Sequence, residues 1–271
     1  MYMFASVIIS TYNSPEWLEK VLIGYAVQSN PDIEIVIADD GSEEATKEVI
    51  DRYKSQFRSL KHVWHEDMGF RKCEILNKAI LASTTDYLIF TDGDCIPRKD
   101  FVQAHIDHRK ENCFLSGGYF KLPMSISQLI NPEDIIRQNC FSLRWLKDRG
   151  LAHSFKNNKL SKNNMWVDLL NRITTTNPTW NGHNASGWKK DIVAVNGFDE
   201  RMKYGGEDRE LGERLENTGI KGLQIRYKAI CIHLDHSRGY ANEKDWKINN
   251  QIRQETKQNR AKRTSFGIVK S

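Results

Sequence analysis

The residues most able to do chemistry in this 271-residue chain fall into four short clusters of carboxylates, imidazoles and glycines. Asp92-Gly93-Asp94 follows the apolar run Tyr87-Leu88-Ile89-Phe90. Two carboxylates flanking a glycine at a strand end can hold a hard divalent cation and leave room for a phosphate. The plainer alternative is an acidic turn. Asp39-Asp40-Gly41-Ser42 closes another apolar run. It reads either as a turn with Ser42 capping the next helix, or as a carboxylate that accepts hydrogen bonds from a nucleobase or ribose. Gly205-Gly206-Glu207-Asp208 opens a helical stretch. Acids there complement the helix dipole, and the paired glycines also allow close approach to a ligand. His233 and His236 stand three residues apart after an apolar run. That spacing can bring both to one metal, although two imidazoles alone do not make a site.

Two further stretches carry weaker signals. Gly69-Phe70-Arg71-Lys72 sets two cations at a helix start, against the macrodipole, which favours a reason such as contact with a nucleotide. The run from Trp180 to Trp188 is dense in glycine, amides and aromatics. It suits sugar recognition, with aromatic faces over C–H patches and amides on hydroxyls; a loop packed around two tryptophans is the competing reading.

The elements that must position these clusters alternate regularly through the first hundred residues. Strands are expected at 6–10, 33–38, 60–64 and 87–91. Helices fall between them at 15–28 (capped by Ser14), 43–57 (capped by Ser42) and 71–81. Near-continuous Val/Ile runs separated by helices predict an α/β fold, with a mostly parallel sheet covered on both faces. Ligands of such sheets collect beyond the carboxyl ends of the strands, where Ser10–Asn13, Asp39–Ser42 and Asp92–Asp94 fall. A helix is then predicted over 101–110 and a strand over 114–121. Residues 122–179 are polar and irregular, with amphipathic pieces at 135–146 and 165–173. Regular structure returns at 187–195, with a helix near 208–217 and strands near 223–226 and 229–233.

Composition excludes several classes. Hydrophobic residues make up 39% and charged residues 28%, as in an ordinary globular domain. The net charge is +5, and residues 243–271 supply all of it with eight Lys/Arg against three Asp/Glu. Residues 1–242 balance at 32 of each sign, so nucleic acid is not expected as a partner. The basic character belongs to a C-terminal tail, expected to be a solvated terminal helix or a contact for anionic membrane through Lys257, Arg260, Lys262 and Arg263. The five scattered cysteines suggest free thiols in a reducing compartment. Without a signal-peptide pattern or a spanning apolar run, the expected address is cytoplasmic, with peripheral attachment at the inner face of the membrane left open.

In order along the chain, VIISTYN, IVIADDGS, MGFRKCEILNKAI and YLIFTDGDCIP resemble the nucleotide-binding half of family 2 glycosyltransferases of the GT-A fold. The stretch NGHNASGWKKDIVAVNGFDERMKYGGEDRELGERLENTGIKG is similar to the catalytic segment of β-1,4-galactosyltransferases and chondroitin-type polymerases. The resemblance covers 4–121 and 180–238, and leaves out 122–179 and the tail. It implies a Rossmann-like GT-A domain over 1–242: a nucleotide-binding half (1–121), an acceptor-side insertion (122–179) and a catalytic segment (180–242).

By that resemblance Ser10, Tyr12, Asp40 and Arg71 surround uracil, Asp92 meets the ribose, and Gly182 belongs to the donor site. Asp94 ligates manganese or magnesium with His236. His233 stands where the galactosyltransferases have methionine, so the ligand set holds one histidine or two. Asp208 is the implied base, with Glu207 beside it. The implied reaction is inverting transfer from a UDP-sugar, galactose or N-acetylgalactosamine by analogy, to a glycan or lipid-linked acceptor in bacterial surface polysaccharide or lipopolysaccharide assembly. A nucleotidyltransferase would carry a glycine-rich basic loop where this chain has Thr11-Tyr12-Asn13-Ser14-Pro15. A silent nucleotide-sugar-binding scaffold would need none of Asp94, Asp208 and His236.

Overall fold

A computed structural model describes residues 3–161, 164–236 and 243–270. Its first half runs β1 (Ala5–Thr11), α1 (Pro15–Ala26), β2 (Ile33–Asp39), α2 (Glu44–Tyr53), β3 (Ser59–Trp64), α3 (Lys72–Ala82), β4 (Tyr87–Asp92) and β5 (Cys95–Pro97). Next come α4 (Phe101–His108), β6 (Cys113–Ser116), β7 (Gly118–Lys121) and the short helices α5 (Met124–Ser127), α6 (Pro132–Ile136) and α7 (Leu143–Lys147). The chain continues through α8 (Asn164–Ile173), β8 (Ala185–Trp188), α9 (Lys189–Ala194), α10 (Glu207–Asn217), β9 (Lys221–Gln224), β10 (Ile230–His233) and α11 (Glu243–Gln258).

The main sheet has seven strands in the order β3-β2-β1-β4-β8-β6-β9, and β8 alone runs against its neighbours. All seven residues of β1 and of β2 are buried, as the unbroken Val/Ile runs require of strands covered on both faces. Alternation divides them: Val7, Ile9, Ile35 and Ile37 pack against α1, α2 and α4, whereas Ile8, Val36, Leu88 and Phe90 meet α3 and α10. The order turns back on itself between β1 and β4, which opens a crevice at their carboxyl ends. There Ser10 lies opposite Asp92 in the ladder.

Three local expectations change. The strand predicted over 114–121 is two strands in different sheets, because β7 joins a second sheet of order β5-β10-β7. The break falls at Gly117, where Asn184 presses against the α-carbon and a side chain has no room. The second helix is shorter than predicted and starts after Glu43, so Ser42 is not its cap. Ser42 instead closes the preceding turn: its N–H donates to Asp39 Oδ1 (2.8 Å) and its Oγ accepts from Asn13 N–H (2.8 Å). Ser14 does stand at the cap position of α1, but its side chain makes no capping bond.

The C-terminal segment is also not a solvated tail. The limit drawn for the main domain at 242 falls on residues outside those described, but α11 beyond it packs on α10, with Asn249 fully buried and Ile252 in the core under α3. Arg253 and Lys257 pair with Glu213, and Lys270 pairs with Glu200. At the centre of this contact Arg214 is completely buried. Its guanidinium donates to Glu210 (2.7 Å), to the Gly197 carbonyl (2.7 Å) and to the Val195 carbonyl, while Glu210 accepts from Thr256 Oγ1 of α11 (2.9 Å). Arg214→Ala strands the Glu210 carboxylate, and a buried pair broken on one side costs about 3–5 kcal/mol. Urea unfolding of the variant is therefore expected to show a loss of that size.

Candidate active site

The crevice at the β1/β4 switch is a cavity of about 570 Å³. That volume lies within the range of small-ligand sites. Of the residues singled out from the sequence, it is lined by Ser10, Tyr12, Asp40, Asp92, Asp94, Glu207, Asp208, His233 and His236, drawn from both halves of the chain. Lys72, Tyr119, His183 and Tyr204 complete much of its wall.

On the sheet side, Ser10 Oγ donates to Asp92 Oδ1 (2.7 Å) and Lys72 Nζ donates to the same oxygen (2.9 Å). Burial works to raise the Asp92 pKa, but the Lys72 ammonium and these hydrogen bonds outweigh it and hold the carboxyl well below its ordinary value. Burial likewise opposes the Lys72 charge. Asp92, Asp208 and Glu207 prevail and keep the ammonium well above its usual range. Gly93 is a tight fit, its N–H donating to the Ser10 carbonyl at 2.7 Å. Asp40 accepts from His65 Nε2 (2.7 Å) and from the Arg71 N–H (3.0 Å). Burial raises its pKa against those two partners. Gly41 has φ +95°, and a side chain there would come within 2.6 Å of the Asp67 α-carbon, so only glycine lets the 65–69 loop close over Asp40. That loop also takes the Tyr12 hydroxyl, which donates to Asp67 (2.8 Å).

Beyond Asp94 the two histidines converge. His236 Nε2 lies 3.0 Å and His233 Nε2 3.8 Å from Asp94 Oδ2, with the two rings stacked 5.8 Å apart. The antiparallel pairing of β5 with β10 sets His233 opposite Cys95, next to Asp94. The Cys95 thiol shares this cluster, with one possible ligand atom each from Asp94, Cys95 and His233 inside 4.8 Å. Burial and the neighbouring Cys231 push the Cys95 thiol well above its ordinary pKa, so it remains protonated and donates to Asp94 Oδ1 (3.3 Å). One carboxylate and two imidazoles, without a thiolate, fit a manganese-type divalent ion; magnesium favours an all-oxygen set. Because Lys72 already neutralises Asp92, Asp94 is the better placed carboxylate for a cation.

The opposite wall is the start of α10. Gly205 and Gly206 both have positive φ (+109° and +96°), and the Gly205 N–H donates to Glu207 Oε2 (2.9 Å). Asp208 follows with its Oδ1 buried and without a hydrogen-bond partner among the described residues. Burial, then Glu207 and Asp92, push its pKa up to about 7, against the attraction of Lys72 and the Gly182 N–H. Gly182 backs this carboxylate, since a β-carbon there would lie 2.5 Å from Asp208 Oδ2. The loop is held from behind by α11. The Asn249 amide donates to the Lys203 carbonyl (2.9 Å) and the Gly205 carbonyl (3.0 Å), and Trp246 covers Gly205.

Several expectations are altered. Arg71 does not reach the cavity: its guanidinium donates to the Glu66 carbonyl and to Glu74, and Lys72, one residue on, lines the wall instead. Gly182 touches Asp208 and is not itself part of the cavity wall. The 180–188 stretch is mainly packed structure. Trp180 is buried against Phe90 and Phe114, and Asn184 is consumed by His105 and the carbonyls of Gly118 and Ala229. Only His183 of that stretch faces the cavity, with its pKa lowered to about 4 by burial despite Asp92 and Asp94 nearby. Lys72 carried a signal in its position against the dipole; Asn249 and Tyr119 carried none.

Residues 6–138 match the profile of the family described as Glycosyl transferase family 2, and residues 171–237 match that described as the N-terminal domain of galactosyltransferase. Validoxylamine A glucosyltransferase of Streptomyces hygroscopicus subsp. jinggangensis is 29% identical over 251 residues, which cover 86% of this chain and 56% of that protein. Escherichia coli chondroitin synthase is 28% identical over 257 residues, 89% of this chain and 36% of that protein. The chain thus spans about half, or less, of the length of these relatives. Among solved structures, residues 1–349 of Staphylococcus aureus TarS with UDP-GlcNAc superpose with a TM-score of 0.62 at 17% identity, covering 92% of this chain and 65% of that one. The Pyrobaculum calidifontis mannosyltransferase with GDP-Man and Mn2+ gives 0.59 at 18% identity, covering 92% and 61%.

Proposed function

The chain belongs to glycosyl transferase family 2 and has the GT-A fold, and on that premise we propose that it is a metal-dependent inverting glycosyltransferase using a UDP-sugar. One observation carries the reading. A carboxylate–imidazole cluster (Asp94, His233, His236) and a buried carboxylate with one oxygen left without a hydrogen bond among the described residues (Asp208 Oδ1) line a single cavity at the strand ends. The Staphylococcus neighbour with UDP-GlcNAc supports a uridine nucleotide, and the galactosyltransferase-type segment favours galactose or N-acetylgalactosamine.

In this mechanism Tyr12, Asp40 and Ser10 line the pocket for the base, and Asp92, fixed by Lys72, meets the ribose. Asp94 with His236 and His233 would hold a divalent ion of the manganese type, which when bound would supply positive charge to stabilise the departing diphosphate. An acceptor hydroxyl attacks the anomeric carbon as its bond to the diphosphate breaks, and Asp208 takes the hydroxyl proton on its open oxygen. Its raised pKa suits that task, because a base near neutrality both accepts and releases the proton readily. Glu207 secures the loop through Gly205 N–H and adds negative charge beside Asp208. One displacement inverts the sugar, so an α-linked donor gives a β-linked product.

We assign the nucleotide half to 1–121, the acceptor-side insertion to 122–179 and the catalytic segment to 180–242, with the C-terminal segment as a brace for the last. The acceptor is a glycan or lipid-linked sugar of a bacterial surface polymer, met at the inner face of the cytoplasmic membrane. No described helix is long and apolar enough to cross that membrane. The test is a panel of UDP-sugars with Mn2+, scored for UDP release and for product configuration by NMR. One sugar is expected to turn over, lost with EDTA, giving β-linked product. A retained configuration sinks the mechanism, and UDP–Mn2+ binding without turnover of any donor would make the chain a silent binding protein.

A further inference from the structure

Helix α8, in the insertion, is apolar over more than half of its circumference, and only one side of that arc is buried. At 100° per residue its sequence divides into arcs. Val167 and Leu170 lie on the inner side and are buried with Tyr227, whose N–H donates to Asn171 Oδ1 (3.2 Å). Met165, Trp166, Leu169 and Ile173 share an outer arc of about 100°. They are 82%, 39%, 45% and 60% exposed. The Trp166 indole donates to Asn158 (3.4 Å), which ties this outer face to the turn 155–160, where Phe155 is 70% exposed. Such a continuous set of large apolar groups on one exposed face marks an interaction site.

The charges around that face are mostly basic. Asp168, on the flank of α8, pairs with Lys228 and is also near Arg172 and His108. Lys159, Lys156 and Arg226 crowd together closely enough that, after burial, the other two cations help lower the Lys159 pKa to about 8. An exposed apolar helix face with Arg172 on its flank and Lys156 on the adjoining turn, both exposed, fits a bilayer surface with anionic headgroups. The face also adjoins the cavity: Lys159 Nζ donates to the Tyr119 carbonyl (2.9 Å) and lies over the Tyr119 ring (4.9 Å), and that ring contacts His183 and His233.

We propose that the outer face of α8, with Phe155, docks the chain on an anionic membrane and turns the cavity toward an acceptor presented from the lipid. The choice of a lipid-linked acceptor rests on the glycosyltransferase reading; the docking itself does not. In the C-terminal segment Arg253, Lys257 and Lys270 are already paired with carboxylates of the body.

Co-sedimentation of the full chain with vesicles tests this. Binding to phosphatidylcholine vesicles containing about one-third phosphatidylglycerol should exceed binding to pure phosphatidylcholine several-fold, because cations beside the face are drawn to an anionic surface. Leu169→Asp with Ile173→Asp should lower that binding at least tenfold while Mn2+-dependent UDP binding stays unchanged, which shows that the fold is intact. Equal binding by the variant and the parent chain overturns the proposal. So does a parent chain that ignores the anionic lipid, or sedimentation velocity showing that the double variant instead abolishes a dimer. If vesicles are bound as expected but no UDP-sugar turns over, the docking stands and the transferase reading falls.

Discussion

Asp208→Asn is expected to lower the rate of transfer by about 10²–10⁴-fold, the contribution of a general base, while Mn2+-dependent UDP binding changes little. The amide keeps the shape and the Gly182 N–H partner but cannot take a proton. Two pH signatures separate this from general damage. The base must be ionised and its pKa is pushed up to about 7, so the parent enzyme's kcat/KM should rise with pH through that region and then level. A rate that is flat from pH 5 to 8 would remove Asp208 from the role.

The second signature is in stability. A carboxyl raised from its ordinary 3.8 to about 7 by folding stabilises fully only below 3.8, and that contribution is lost as pH rises through 7. Asparagine mimics the neutral form at every pH. The variant should therefore gain on the parent between pH 4 and 7, by up to about 4 kcal/mol, or several degrees in Tm at pH 8. An inactive variant that is more stable than its parent at pH 8, and scarcely so at pH 4, is hard to obtain from a merely structural residue.

Asp94→Asn should abolish the metal-dependent part of donor binding. Loss of an outer-shell partner already weakens metal affinity by about 10–100-fold, and a direct ligand should cost at least as much. Calorimetric titration of UDP with and without Mn2+ reads this directly. The parent should bind UDP far more tightly with Mn2+, and the variant should show the same weak affinity in both conditions. His236→Ala should follow Asp94→Asn, given its 3.0 Å approach to Asp94 Oδ2. His233→Ala separates a two-histidine set from a one-histidine set by whether Mn2+ still strengthens UDP binding. If Mn2+ strengthens UDP binding to Asp94→Asn as it does in the parent, the cation site lies elsewhere.

Much of the architecture was legible in the chain because a strand buried on both faces has to be apolar throughout. Ala5–Thr11 and Ile33–Asp39 are such runs, and the helices between them fix parallel pairing. The clusters at Ser10, Asp40 and Asp92–Asp94 then had only one place to be, beyond the carboxyl ends of the strands. Local sequence could not determine which side chain of a neighbouring pair points inward. Arg71 and Lys72 are adjacent cations, yet the cap position of α3 turns Arg71 toward Glu66 and Glu74 and leaves Lys72 facing Asp92. Residues with no local pattern stayed hidden for a related reason. Tyr119 reaches the cavity only because β7 leaves the main sheet at Gly117 for β10, a long-range pairing that leaves no mark in neighbouring residues.

By itself, then, the sequence determined the α/β sheet, the switch-point crevice and most of the carboxylates and imidazoles around it. Periodicity and strand ends are local properties of the chain. The pairing of Asp94 with His236 was offered by the family resemblance and not by any local pattern; tertiary structure brings both His233 and His236, some 140 positions away, to the Asp94 carboxylate. It alone made Asp208 a carboxyl of pKa about 7, because burial and the charges of Glu207 and Asp92 are properties of the packed site. It also turned the basic C-terminal segment from an appendage into the support of the Gly205–Asp208 loop, through Asn249 and Trp246. Charge counting sees that segment's lysines and arginines but not its one buried amide, and the amide holds the loop.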